Sequence, residues 1–150
     1  MQIEKMNQKQ AAEYIQWKYT PPYEFYNIPQ SVCEESMLEI FDDNGIDFYS
    51  VLDECENLFG MYEYSFNEDA MTIGLGIRPE FCGMGHGRKF LEHCISFGRK
   101  RYNYTGKVRL MVVDFNSRAV HLYKSMGFSE TQRIEKLSYG KPVTFIIMEL

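Results

Sequence analysis

The sequence predicts an α/β (α+β) fold on a mixed, mostly antiparallel sheet, and three observations carry that expectation. Residues 70–77 alternate Met71, Ile73, Leu75 and Ile77 with Thr72, Gly74 and Gly76, the period of a strand with one apolar and one bare face. A glycine-rich turn, an amphipathic helical stretch and the apolar run Lys107–Val113, read as a mostly buried strand, come next, so two strands enclose one helix as a right-handed parallel crossover. On either side, paired apolar runs separated by turn residues read as antiparallel strands.

Taken in chain order, residues 1–6 read as a first strand. Residues 7–18 read as a helix that turns Ala11, Ala12, Ile15 and Tyr14 inward. Trp17–Pro29 contains two prolines followed by Tyr23, Phe25 and Tyr26, a stiff aromatic loop. A second helix is expected over Ser31–Phe41, begun by Ser31. Ile46–Asp53 and Leu58–Phe66 should pair across the turn Glu54–Asn57 and lead into the strand at residues 70–77, which Pro79 ends by removing a backbone donor. After the turn Cys82–Arg88, Phe90, Leu91, Cys94 and Ile95 recur at helical spacing. The stretch from Asn116 to Gly127 is a short helix with both ends marked: Asn116 can cap it, Ala119, Leu122, Tyr123 and Met126 share a face, and Gly127 suits a left-handed terminal residue. Ser129–Leu137 and Val143–Leu150 should pair across Ser138–Pro142, where Gly140 and Pro142 mark a hairpin.

With 150 residues, 45% hydrophobic and 15% aromatic, the chain reads as one domain, 1–150, able to bury a substantial core. A net charge of −5 argues against a nucleic-acid partner. No run of apolar residues is long enough to span a membrane, and no apolar leader comes after Met1. The four cysteines lack Cys-x-x-Cys spacing and the three histidines form no metal motif, so no metal and a reduced, cytoplasmic setting are expected.

The strand, glycine turn and helix in succession make an anion site. Backbone amides at a helix N-terminus have no intrahelical partners, and glycines remove the side chains that would hold a phosphate away. A dinucleotide-binding reading of Gly83-Met-Gly85 fails because Arg88 stands where the third glycine belongs. Together with Asn116-Ser-Arg-Ala-Val-His-Leu-Tyr-Lys-Ser-Met-Gly-Phe128, the turn resembles the two signatures of the GCN5-related N-acetyltransferase (GNAT) superfamily, over about residues 57–130.

That resemblance implies six or seven strands and about four helices, with the sheet splayed at its central parallel pair. It implies acetyl-CoA as cosubstrate. The pyrophosphate would be held by the turn residues Cys82, Gly83, Met84, Gly85, His86, Gly87 and Arg88, and the pantetheine and thioester by backbone groups of Gly76, Ile77 and Arg78. Cys82 departs from the family pattern, standing where Gln or Arg is usual, so a side-chain contact is lost while the backbone donors remain. Asn116 would contact the coenzyme. Tyr123 would protonate the departing thiolate, which suits a phenol of pKa about 10 facing a thiol of about 8.5.

The acceptor amine attacks directly, with no covalent enzyme intermediate. Its base is expected to be Glu63, with Asp114 as second candidate. Tyr23, Phe25 and Tyr26 would border the pocket of a small-molecule amine. A peptide or protein N-terminus or lysine, and a non-catalytic coenzyme-binding domain, are the alternative readings. The chain is expected to be a monomer or homodimer.

Overall fold

The computed structural model describes residues 1–150. In chain order the elements are β1 (Gln2–Lys5), α1 (Gln8–Ile15), α2 (Cys33–Phe41), β2 (Asp47–Leu52), β3 (Leu58–Asn67), β4 (Ala70–Ile77), α3 (Gly87–Arg101), β5 (Lys107–Val113), α4 (Ser117–Ser125), β6 (Ser129–Ser138) and β7 (Lys141–Glu149). Short 3-10 turns occupy Tyr23–Tyr26, Gln30–Val32 and Pro79–Phe81. The strands form one mixed sheet in the order β1-β2-β3-β4-β5-β7-β6. Its one parallel pair is β4 with β5, the parallel pairing expected from sequence.

The chain divides into two compact units, Met1–Ser65 with Leu75–His86, and Phe66–Gly74 with Gly87–Leu150. In the first, Asn7 caps α1 in a reciprocal box with Gln10, satisfying an orphan amide at each end of the exchange. Ala11, Ile15, Trp17 and Ile40 meet Phe48, Leu52, Leu58 and Met61 of β2 and β3 in one buried cluster. The register between β2 and β3 slips: Val51 faces Gly60 but Leu52 faces Leu58, so Phe59 is an extra residue in β3 at that point. That bulge is why Leu58 and Met61, three apart, both reach the same core.

In the second unit, Phe90, Leu91 and Cys94 of α3 are buried, as are Val108, Leu110, Val112 and Val113 of β5 and Ile146 and Met148 of β7. Helix α4 ends as its sequence suggests. Gly127 takes φ +100°, and the Phe128 amide donates to the Tyr123 carbonyl at 3.0 Å while their rings lie 5.9 Å apart, the polar and apolar halves of a Schellman close.

Several boundaries and faces differ from the expectations drawn from sequence. Ala12 is exposed, because the short α1 buries only the stripe through Ala11 and Ile15. Ser31 does not start α2; it lies inside the preceding 3-10 turn, and the helix begins at Cys33 after Val32, with no side-chain cap. Strand β5 alternates in burial, leaving Met111 40% exposed. The last hairpin turns on Tyr139 and Gly140, both at positive φ, so that Pro142 lies within β7 opposite Leu137.

Leu91 is fully buried in α3. Leu91→Ala is expected to lower stability by about 2–5 kcal/mol, measured by urea unfolding.

Candidate active site

The parallel ladder between β4 and β5 is short. It covers Ala70 to Thr72 against Lys107 to Arg109 and stops, although β4 runs on to Ile77 and β5 to Val113. Arg109 secures the paired part: its guanidinium meets Glu149 at 2.6 and 2.7 Å and Asp69 at 3.1 Å. Beyond Thr72, β4 continues without a β5 partner into the Pro79–Phe81 turn and the glycines.

Within that turn Gly83 and Gly85 take φ +75° and +82°, a backbone that side chains disfavour. A Cβ on Gly85 would meet nothing within 4 Å, so its face of the loop is open. Gly87 is small for another reason: a Cβ there would come within 3.0 Å of Leu122, so α3 starts hard against α4. The bulged Phe59 holds both ends of the loop, stacked on Phe81 at 5.0 Å and edge-on to His86 at 5.3 Å. Met84 at the tip is exposed. The Cys82 thiol donates back to the carbonyls of Ile77 and Arg78, so it does not reach over the turn.

At the end of β4 much of the backbone is engaged within the protein. The Arg78 amide donates to the Phe59 carbonyl at 2.9 Å. The Arg78 side chain pairs with Glu13 and Glu80 and reaches the Leu58 carbonyl. The Ile77 carbonyl accepts the Tyr19 hydroxyl at 2.8 Å. The bare side of Gly76 is occupied too: Met61 and the Tyr19 hydroxyl lie 3.5 and 3.7 Å from where its Cβ would be. Burial pushes the Tyr19 phenol far above its ordinary value, so it stays a proton donor at any working pH.

Glu63 faces the same side of the sheet as Met61, opposite Phe48 on β2. It is half-buried and has neither a hydrogen-bond nor an ion-pair partner. Desolvation, with the Glu39 charge adding to it, pushes its carboxyl up to about 7. Tyr23, Phe25 and Tyr26 form the 3-10 turn after the cis Pro21–Pro22 bond. Tyr23 and Phe25 are half-buried and Tyr26 is 39% exposed, its ring edge-on to both Phe25 and Tyr19.

In the second unit, the Asn116 side chain accepts the Ala119 amide at 3.3 Å and so caps α4. Tyr123, seven residues on, shares its face of the helix and is half-buried beside Phe128. Arg88 bonds the Ser125 hydroxyl at 2.8 Å, joining the start of α3 to the end of α4. Asp114 is exposed. A groove of about 840 Å³ runs along α3 past Arg88, Ser96, Arg99 and Tyr104, but neither Asn116 nor Tyr123 lines it. The structure thus groups Gly76–His86 with Glu63 and the aromatic loop in the first unit, and Arg88, Asn116 and Tyr123 in the second.

A family model described as Acetyltransferase (GNAT) family matches residues 7–128. The chain belongs to the GNAT acetyltransferase family. It is an acyltransferase, and the mixed seven-stranded sheet with four helices is the GNAT fold.

Three solved structures illustrate the likeness of this GNAT chain. A spermidine N-acetyltransferase SpeG chimera from Vibrio cholerae and hSSAT is 22% identical with a TM-score of 0.77, covering 100% of this chain and 95% of that one. A SpeG mutant from Vibrio cholerae gives 21% and 0.77, covering 100% and 94%. The spermidine/spermine N-acetyltransferase SpeG from Vibrio cholerae in complex with manganese ions gives 21% and 0.75, covering 99% and 91%. At this identity the likeness is one of fold. No curated protein sequence matches the chain. No helix is long and apolar enough to cross a membrane, and no three His, Cys, Asp or Glu side chains are placed to hold a metal ion.

Two residues that organise the GNAT turn and strand were not singled out from sequence. Phe59 acts through a bulge, which strand alternation does not reveal. Tyr19 lies in the aromatic loop but bonds a residue 58 positions away.

The raised Glu63 carboxyl has a thermodynamic signature. Protons bind the folded state more tightly than the unfolded one, so its contribution is fully present below pH 4.5 and is lost as pH rises through about 7. Glu63→Gln should therefore gain stability relative to wild type between those pH values, by roughly 1–3 kcal/mol in paired urea titrations.

Proposed function

We propose that this chain is an acetyl-CoA-dependent N-acetyltransferase that moves an acetyl group directly onto a primary amine of a small molecule. The observation that carries the reading is the open glycine turn between β4 and α3, which comes directly after the stretch of β4 past the end of its β5 ladder. Backbone groups that lose ladder partners need others, and the first amides of α3 need acceptors. A pyrophosphate answers the amides and a pantetheine arm answers the strand. The residues fit such a ligand, because Gly85 leaves its side of the loop clear and Cys82 turns away from it.

When bound, acetyl-CoA supplies an activated thioester. The backbone of Cys82–Arg88 holds the phosphates, with Gly76, Ile77 and Arg78 beside the pantetheine end. Since the Ile77 carbonyl and the Arg78 amide are spent within the protein, the Ile77 amide carries more of that contact. Asn116 caps α4 and thereby sets the direction in which Tyr123 projects two turns later. Tyr123 holds the proton for the departing thiolate, its ring steadied by Phe128.

Glu63 is the base. A carboxyl held near 7 is about half ionised at neutral pH, close to the optimum for taking a proton from an ammonium and releasing it to water. Having no cationic partner in the protein, it also favours a cationic acceptor. Tyr23, Phe25 and Tyr26 supply the apolar wall for the acceptor. The substrates named for the similar structures, spermidine and spermine, are small amines of this kind.

Calorimetric titration should find saturable acetyl-CoA binding and no response to NADH; absence of acetyl-CoA binding would sink the reading. In a thiol-release assay across small amines, Tyr123→Phe is expected to lower kcat about a hundredfold or more with little change in the KM for acetyl-CoA. The kcat/KM of the wild type should rise through pH of about 7, and Glu63→Gln should abolish that limb.

A further inference from the structure

Tyr19 bridges the aromatic loop and the end of β4 within the first unit. Its hydroxyl donates to the Ile77 carbonyl at 2.8 Å, and the same oxygen sits 3.7 Å from the Cβ position of Gly76. Its own backbone is clamped on both sides by one residue: the Tyr19 amide donates to the Asn27 side-chain oxygen at 2.7 Å, and the Asn27 side-chain nitrogen donates back to the Tyr19 carbonyl at 3.3 Å. Its ring lies edge-on to Tyr26 at 6.3 Å. One side chain thus ties the aromatic loop to the last residues of β4.

The peptide between Ile77 and Arg78 is held at both polar groups, by Tyr19 at the carbonyl and by Phe59 at the amide. A ligand that settles on residues 76–78 must either rest against the Tyr19 phenol or displace it. The hydroxyl's donor is spent on Ile77, which leaves its oxygen lone pairs to accept a hydrogen bond from an amide or amine N–H.

Resting on the acetyl-CoA reading above, we propose that Tyr19 is a positioning residue that couples the coenzyme strand to the acceptor loop, so that seating a thioester along Gly76–Arg78 sets the conformation of residues 17–29. No reacting atom passes through it. Its work is to make the order of one binding surface depend on occupancy of the other.

The chain carries its own reporter. Trp17 is the single tryptophan, two residues before Tyr19. It is buried with its indole N–H unpartnered and packs edge-on to Tyr14 at 5.2 Å. Small movements at Tyr19 therefore change its surroundings.

The test measures Trp17 fluorescence during titration with acetyl-CoA, in parallel with calorimetry, for wild type, Tyr19→Phe and Asn27→Ala. Wild type should show a saturable change with the calorimetric midpoint. Tyr19→Phe keeps the ring and loses one neutral hydrogen bond, so it should bind acetyl-CoA about three- to tenfold more weakly and lose most of the fluorescence change at saturation. Asn27→Ala, which leaves the phenol in place, should keep acetyl-CoA affinity but lose the fluorescence change, a split that general destabilisation would not produce. Calorimetric binding with a silent Trp17 in wild type, or an undiminished response in both variants, overturns the coupling and leaves the acetyltransferase reading standing. Absence of acetyl-CoA binding overturns both.

Discussion

The structure turns on a parallel ladder that is allowed to run for only three residue pairs. Arg109 braces the paired part. Its fork engages Glu149 of the neighbouring antiparallel strand and Asp69 at the mouth of β4, with Arg109 and Glu149 each shielded from much of the solvent. Charge-assisted, two-pronged contacts of this kind are the stronger class of ion pair, whereas Lys107 with Asp69, out in solvent, adds little. The cluster gathers the start of β4, β5 and β7 at one end, while at the other end β4 runs on without its partner. A backbone left in that state has hydrogen-bonding capacity to give to a ligand, which an unbroken ladder would have consumed.

Aromatic supports around the end of β4 keep the freed stretch from collapsing. Phe59, thrown out of register by a bulge, grips the loop through Phe81 and His86, and its backbone carbonyl fixes the Arg78 amide. Tyr19 fixes the adjoining carbonyl. The glycines between can then adopt positive φ with the open side of Gly85 outward, and α3 begins where Gly87 is small enough to lie against Leu122. Rigid supports around a bare backbone loop are what preorganised anion binding requires, since amides that need no rearrangement lose nothing on binding. The Cys82 thiol closes the strand end by donating to the Ile77 and Arg78 carbonyls.

Glu63 stands apart because it is set against stability. A half-buried carboxylate without a partner is costly in its charged form, and the fold relieves the cost by raising its proton affinity. The base role proposed for Glu63 draws on that raised proton affinity.

Much of the fold was legible in the residues themselves. Alternation at 70–77, the glycines of the turn, the cap at Asn116 and the left-handed Gly127 are local properties, and each element formed where its own chemistry called for it. At Ala12, Ser31, Met111 and Pro142 the structure departs from expectation, because the outcome there depended on what neighbouring segments covered. The sequence by itself determined the order of elements, the crossover and the family, because periodicity, caps and glycine spacing act over a few residues. Only the tertiary structure decided that the β4–β5 ladder stops at Thr72, that Phe59 bulges onto the turn, that Tyr19 reaches Ile77 and that Glu63 is half-buried without a partner. Those features arise from pairing register and desolvation between residues far apart in the chain, and no local pattern encodes them.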